Sequence, residues 1–173
     1  MASDSRALDP SPWLKALLSE NAAERKAATL ALGGVDSETR VDVSPLLDAL
    51  GSADENTRFW SVVALGRLEK QSEVALGGLI ALAGSDPAFG LRQAAVSAIS
   101  QIAIDAQHVR EALFAALADP SEFVRRESLQ AIAKLSRLSE REVALVQGLE
   151  GDPSDTVVNW TRIALRRHLA SKT

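Results

Sequence analysis

Residues 57–68 read Thr57-Arg58-Phe59-Trp60-Ser61-Val62-Val63-Ala64-Leu65-Gly66-Arg67-Leu68, and altered copies of this stretch recur four more times in the 173-residue chain. Arginines mark four copies at an almost constant spacing, and the fifth copy has a valine there: Arg25, Arg58, Arg92, Arg125 and Val158. Six residues after each of them stands an alanine: Ala31, Ala64, Ala98, Ala131 and Ala164. A fixed period of about 33 residues with an unbroken alanine column predicts a helical solenoid.

The turns between the predicted helices carry their own repeated signal. Asp86-Pro87, Asp119-Pro120 and Asp152-Pro153 follow one another at the same period. Because proline moves the preceding residue away from helical angles, each Asp-Pro predicts the turn inside a pair of helices. We expect one all-α domain, a right-handed α-solenoid of five stacked hairpins and about ten helices, with repeats at approximately 11–34, 43–70, 72–104, 106–138 and 139–170.

We name the first helix of each hairpin A and the second B, and we count the arginine of each B helix as position one. Side chains at positions four, seven and eight then share one face of a helical wheel. The alanine at position seven is expected to let A and B helices approach closely. The pattern further predicts a helix from about Glu55 to Lys70, a helix capped by Ser72, and a helix from about Glu122 to Leu138. Residues 139–142 predict a capping box.

The sequence resembles the short bacterial HEAT repeats, typified by the phycocyanobilin-lyase-like repeats. The residues that carry the resemblance are Asp119-Pro120-Ser121-Glu122-Phe123-Val124-Arg125 and Ala64-Leu65-Gly66. It implies a protein-binding scaffold, although a fold does not fix a function. It also implies a ladder of hydrogen bonds between turn aspartates and B-helix arginines, namely Asp54 with Arg58, Asp86 with Arg92 and Asp119 with Arg125. Val158 cannot continue such a ladder.

Composition narrows the classes of function. The chain has no cysteine, which excludes disulfides and thiolate metal sites and is compatible with a cytoplasmic location. No uncharged apolar run is long enough to span a membrane, and residues 1–10 do not resemble a secretory signal. The net charge is −4, although residues 156–173 carry four basic residues and no acid. An acidic body argues against a broad nucleic-acid surface, which needs a basic face.

Catalytic signals are missing. The two histidines, His108 and His168, have no second ligand at metal-binding spacing, and no Gly-x-Ser-x-Gly nucleophile elbow occurs. No carboxylate pair stands on an apolar helical face, where burial raises a pKa. We therefore expect a protein that is not an enzyme and has no metal or cofactor of its own.

The B helices line the concave side of such solenoids, so we expect a partner to bind there. Positions two and nine point away from the packed face, and positions five and six lie between them. The predicted binding residues are Phe59, Val62, Val63, Gly66, Gln93, Val96, Arg126, Leu129, Arg162 and Arg166. One alternative is that the apolar members, Val62, Val63, Val96 and Leu129, only fill the seam between neighbouring B helices. Phe59 is harder to bury, which favours contact with a partner or a second copy.

The most direct hypothesis is a non-enzymatic adaptor or accessory subunit, a monomer or weak homodimer, that holds an amphipathic helix or extended segment of another protein. The resemblance also allows a bilin-lyase-like or cofactor-loading chaperone that works with a partner chain. Nucleic-acid binding is a weaker alternative. Arg162, Arg166 and Arg167 either contact an acidic partner or favour the dipole of the last helix.

Overall fold

The structure, a computed structural model, describes residues 7–36 and 39–169. Two predictions extend outside these ranges: the end of the fifth hairpin at residue 170, and residues 1–6 of the segment compared with a secretory signal. Within them the chain forms ten α-helices: α1 Ser11–Leu17, α2 Ala22–Gly33, α3 Ser44–Leu50, α4 Glu55–Arg67, α5 Leu76–Ser85, α6 Phe89–Ala103, α7 Gln107–Ala115, α8 Glu122–Ile132, α9 Glu140–Gln147 and α10 Asp155–Leu169. An isolated bridge between Leu8 and Val41 is the sole strand-like pairing there. The predicted all-α solenoid is confirmed.

Odd-numbered helices are the A helices and even-numbered helices the B helices. Three boundaries differ from the prediction. Helix α4 stops at Arg67 because Glu69 adopts a left-handed backbone with φ of 47°, and a 3-10 helix, Glu69–Ala75, follows. Ser72 is buried inside this segment and caps no helix. Helix α8 ends at Ile132, before a tighter turn. The predicted capping box is present, with Ser139 and Glu142 bonded to each other's backbone N–H groups.

The core consists of equivalent positions from all five hairpins. Position eight holds a large apolar side chain that is at most 6% exposed: Leu32, Leu65, Ile99, Ile132 and Leu165. Position four holds a small buried side chain: Ala28, Ser61, Ala95, Ser128 and Thr161. Burying one large apolar side chain contributes roughly 1.5–3 kcal/mol, and a single hairpin has too few to fold alone, so the hairpins must stack.

Ala98 of the alanine column lies at a close contact between two successive B helices, and the predicted approach of A and B helices at this column stays a prediction. A Cβ placed on Gly66 of α4 would lie 3.1 Å from Cβ of Ala98 in α6. Ala64, Ala98, Ala131 and Ala164 are all at most 2% exposed, whereas Ala31 is exposed. Position seven is therefore closed off in the last four hairpins and open in the first.

Replacing Gly66 by leucine should therefore lower the free energy of unfolding by about 1–3 kcal/mol, the usual range for overpacking a close contact. A matched substitution at Gly77, an exposed glycine of α5 with no atom within 4 Å of its added Cβ, should not destabilise the protein. Chemical denaturation of both variants measures the difference. Equal loss of stability in the two variants would contradict the close approach of α4 and α6.

A ladder of ion pairs joins successive hairpins, but its pairing differs from the prediction. The side chains of Arg58, Arg92 and Arg125 pair with the aspartate carboxylate of the following turn and not with the carboxylate of their own turn. The Nε–Oδ2 distances are 3.0 Å for Arg58 with Asp86, 2.7 Å for Arg92 with Asp119, and 2.8 Å for Arg125 with Asp152. The predicted pairs Asp86–Arg92 and Asp119–Arg125 are hydrogen-bonded through the aspartate backbone oxygens and not through the carboxylates. Arg58 bonds to the Ser52 and Ala53 oxygens of its own turn rather than to Asp54, and Asp152 joins the ladder although it was not among the predicted pairs.

Arg92 and Arg125 each bridge two turns because their Nε and Nη1 atoms have different partners. Nη1 of Arg92 donates to the backbone oxygens of Asp86 and Pro87 in its own turn, while Nε reaches Asp119 in the next. Arg125 repeats this arrangement with Asp119 and Pro120. Asp54 has a different role, because it accepts the Thr57 N–H at 2.7 Å and caps α4.

The contacts of the ladder lower the pKa values of two of its aspartates. Burial tends to raise the pKa of Asp119, but hydrogen bonds from Arg92 and from the Ser121 N–H keep its pKa below the ordinary value. The same balance, with Arg125 and the Ser154 N–H as donors, lowers the pKa of Asp152. The folded state therefore favours the ionised carboxylates.

Candidate protein-binding surface

The solvent-facing side of the B helices forms one continuous set of side chains. It begins at the first residue of each B helix and returns every four residues, because such residues share a helical face. We call it the B-helix surface: Ala22, Lys26, Leu30 and Gly34; Glu55, Phe59, Val63 and Arg67; Phe89, Gln93, Ser97 and Gln101; Glu122, Arg126, Gln130 and Lys134; Asp155, Asn159, Ile163 and Arg167. None of these residues is buried.

Only part of the predicted site lies on this surface. Phe59, Val63, Gln93 and Arg126 belong to it. Three other predicted residues, Val62, Val96 and Leu129, are 0% exposed and fill the seams between neighbouring B helices. They occupy position five, which the next B helix covers, although Val62 also borders the groove between α4 and α6. Gly66 is also buried, against Ala98.

Arg162 and Arg166 occupy the same two seam positions, five and nine, in the last hairpin. Both are exposed. In the described chain no B helix follows α10, so these positions face solvent and carry charges where earlier hairpins carry Val62 and Gly66. Both side chains are accessible, and their role in binding stays a prediction.

A groove of about 290 Å³ lies between α4 and α6 on the B-helix surface. Phe59, Val62, Val63 and Ala94 supply apolar walls, and Gly66 also lies in the lining. Gln93, Ser97 and Gln101 supply hydrogen-bonding groups along α6. A second depression between α2 and α4 includes Lys26 and Leu30 and shares Val63 and Arg67 with the first, so the two adjoin.

Two phenylalanines extend this apolar region toward the helix N-termini. The rings of Phe89 and Phe123 stack with centroids 5.5 Å apart, yet they are 50% and 41% exposed. The Arg126 guanidinium lies 5.4 Å from the centroid of Phe123, a cation–π distance. Nε of Arg126 is buried and has no hydrogen-bond partner among the described groups.

Sequence reasoning missed Phe89 and Phe123, although a signal was available. Phe89 stands four residues before Gln93, a residue that was predicted to bind, and so shares its helical face. Phe59 itself is half-buried and packs edge-on against Trp60, with ring centroids 5.1 Å apart. The aromatic groups of this surface therefore come from three successive B helices.

Other kinds of site find no geometric support in the described residues. Residues 7–36 and 39–169 contain no group of three or more histidine, aspartate or glutamate side chains able to hold a metal ion. His108 is exposed, and His168 is buried with Nε2 3.2 Å from the Ile132 oxygen. No described helix combines the length and apolar character needed to cross a membrane.

The sequence profile of HEAT repeats matches residues 10–100 and 78–166. The chain belongs to the HEAT-repeat family. This confirms the resemblance found in the turn and B-helix motifs. The sequence matches none of the curated proteins.

Solved structures resemble this HEAT-repeat protein in fold. The complex of CpcE and CpcF of phycocyanin lyase from Nostoc sp. PCC7120 aligns with a TM-score of 0.73 and 16% identity over 90% of this chain and 96% of that one. A designed armadillo repeat protein in complex with the peptide (KR)4 aligns with a TM-score of 0.63 and 22% identity, covering 91% and 80% of the two chains. A computationally designed armadillo repeat protein for modular peptide recognition gives 0.61 and 22%, covering 91% and 81%.

Proposed function

We propose that this HEAT-repeat protein is a non-enzymatic adaptor or accessory subunit that binds a segment of another protein on its B-helix surface. The observation that carries the proposal is the groove between α4 and α6, where Phe59 and Val63 line an apolar depression that no other part of the described chain fills. Apolar pockets bordered by a few polar groups are where interface anchors insert.

The surrounding side chains supply the other features of a protein interface. Aromatic residues and arginine are enriched at binding hot spots, and Phe89, Phe123 and Arg126 form such a cluster beside the groove. A partner side chain that is fully buried in the groove would contribute roughly 1.5–3 kcal/mol. Hydrogen bonds from Gln93 and Gln101 would fix its register.

Similar folds support binding of a peptide-like segment. Two designed armadillo repeat proteins resemble this chain over about nine-tenths of its length, one in complex with a peptide and one made for peptide recognition. The likeness concerns the fold, so the assignment to this chain depends on its own groove.

Substitutions in the groove test the proposal. In affinity capture from an extract of the native host, Val63→Glu and Gln101→Glu should lose partner proteins that the parent retains, because each places a carboxylate in or beside the apolar depression. Val74→Glu is the matched control, since Val74 is 69% exposed on the 3-10 segment before α5 and does not line the groove. Circular dichroism checks that all variants stay folded. Retention of every partner by both folded groove variants contradicts the proposal.

A second candidate is a bilin-lyase-like or cofactor-loading subunit that works with a partner chain. The similarity to the CpcE and CpcF complex favours it. Its test is the absorbance of the purified protein above the tryptophan band, alone and after mixing with a bilin. A visible absorbance that stays with the protein through gel filtration would support this function. If no such absorbance appears even when the captured partner is present, the lyase-like function is excluded.

A further inference from the structure

Charge is sorted across the B-helix surface. The first residues of three B helices are acidic: Glu55, Glu122 and Asp155. The residues twelve positions later in the same helices or just beyond them are basic: Arg67, Lys134 and Arg167. We call these sets the acidic row and the basic row. All six side chains are exposed.

Between these rows the surface carries four apolar side chains among polar ones, and two of the four, Phe59 and Val63, stand on α4. Leu30, Val63 and Ile163 occupy position six in three of the five B helices, and Leu30 is 67% exposed. Phe59 stands one turn nearer the acidic row. The surface therefore has apolar side chains at its centre on α4, polar ones beside them on α6 and α8, an acidic border on one side and a basic border on the other.

Helix stability alone does not account for this sorting. Acids at helix N-termini and cations at helix C-termini favour the helix dipole in any helix. However, α3, α5 and α7, the central A helices, have no acidic residue in the first turn and no basic residue in the last. The charged borders are concentrated on the B helices, which present the groove.

The distance between the two rows selects the shape of the ligand. Twelve residues of helix rise about 18 Å, while an α-helix with its side chains is about 10–12 Å across. A helix lying across the B helices can thus place one flank toward each row and a third face on Phe59 and Val63. An extended strand has only two faces, because its side chains alternate, so it cannot present an apolar face and two oppositely charged flanks at once.

Resting on the proposed function, we propose that the partner segment is an amphipathic helix that lies across α4, α6 and α8. Its apolar face sits over Phe59, Val63 and the Phe89–Phe123 pair. Glutamate or aspartate along one flank faces Arg67 and Lys134, and lysine or arginine along the other faces Glu55 and Glu122. Neighbouring packed helices are about 8–10 Å apart, so three B helices span about 11–13 residues of such a helix.

Nucleic acid is a poorer match to the same surface. Phosphates require an uninterrupted basic face. Here Glu55 and Glu122 border the groove, and Glu127 lines it and accepts a hydrogen bond from Gln93 at 3.3 Å. These carboxylates would repel a polyanion.

Two synthetic peptides of about 14 residues and identical composition test the proposal. In the sorted peptide, leucines form one helical face, glutamates one flank and lysines the other. In the mixed peptide the leucine face is kept and glutamates and lysines alternate on both flanks. Fluorescence anisotropy at low salt should show the sorted peptide binding at least about tenfold more tightly. The double variant Arg67→Glu/Lys134→Glu should abolish that preference.

The control Lys15→Glu/Arg141→Glu changes net charge equally on exposed residues of two A helices and should keep the preference. Equal binding of the two peptides, no binding of either, or tighter binding of a DNA duplex of similar length would each overturn the proposal. If neither peptide binds but Val63→Glu still loses its captured partners, the partner is not an amphipathic helix and the proposed binding surface is retained. If Val63→Glu and Gln101→Glu keep all partners, the surface itself is wrong.

Discussion

Replacing Val96 by aspartate will lower the free energy of unfolding by about 3–5 kcal/mol, the usual penalty for leaving a buried charge without a partner. Val96 stands at position five of α6, is 0% exposed, and lies in the seam that α8 covers. Because small domains are stable by only about 5–15 kcal/mol in total, the variant should be partly unfolded at ambient temperature. Denaturant titration followed by far-ultraviolet circular dichroism measures the loss.

The neighbouring residue gives the matched control. Ser97 stands at position six, lines the groove and is partly exposed. Ser97→Asp should change stability by about 0.5 kcal/mol or less, as exposed substitutions usually do. Similar stability of the two variants would mean that position five is not in the seam, and would return Val62, Val96 and Leu129 to the list of possible binding residues.

Replacing Asp119 by alanine will lower the free energy of unfolding by about 1.5–3 kcal/mol at neutral pH, the range for hydrogen bonds to charged groups. The carboxylate accepts two hydrogen bonds from Arg92, at 2.7 and 2.9 Å, and one from the Ser121 N–H at 2.8 Å. Its loss would leave the Arg92 guanidinium, 12% exposed, without its charged partner. Asp105→Ala, at an exposed aspartate between α6 and α7, is the control and should have little effect.

The dependence on pH identifies the ionised form as the stabilising one. The pKa of Asp119 is lowered in the folded protein, so in acid the unfolded chain binds the proton first. The stability difference between parent and Asp119→Ala should be fully present above about pH 5 and shrink as the pH falls below about 4. A difference that stays constant down to about pH 2 would show that the charge of Asp119 does not contribute.

Period and local chemistry in the sequence determined the fold of this protein. The regular spacing of the alanine column and the three Asp-Pro turns require helical hairpins that repeat, and single hairpins bury too little apolar surface to stand alone. The groove was partly predicted as well, because Phe59 and Val63 share the solvent face of α4, and Gln93 lies on the equivalent face of α6. These features depend on residues within about one hairpin of each other.

The tertiary structure alone decided which side chains face a neighbour and which face solvent. Positions five and six are neighbours in the chain and lie about 100° apart around the helix, and the B helix of the next hairpin covers Val96 but leaves Ser97 at the groove. The same long-range contact pairs the Arg92 side chain with the carboxylate of Asp119 rather than with that of Asp86. A helical wheel describes one helix, whereas burial and ion pairing here depend on how far one hairpin is displaced against the next.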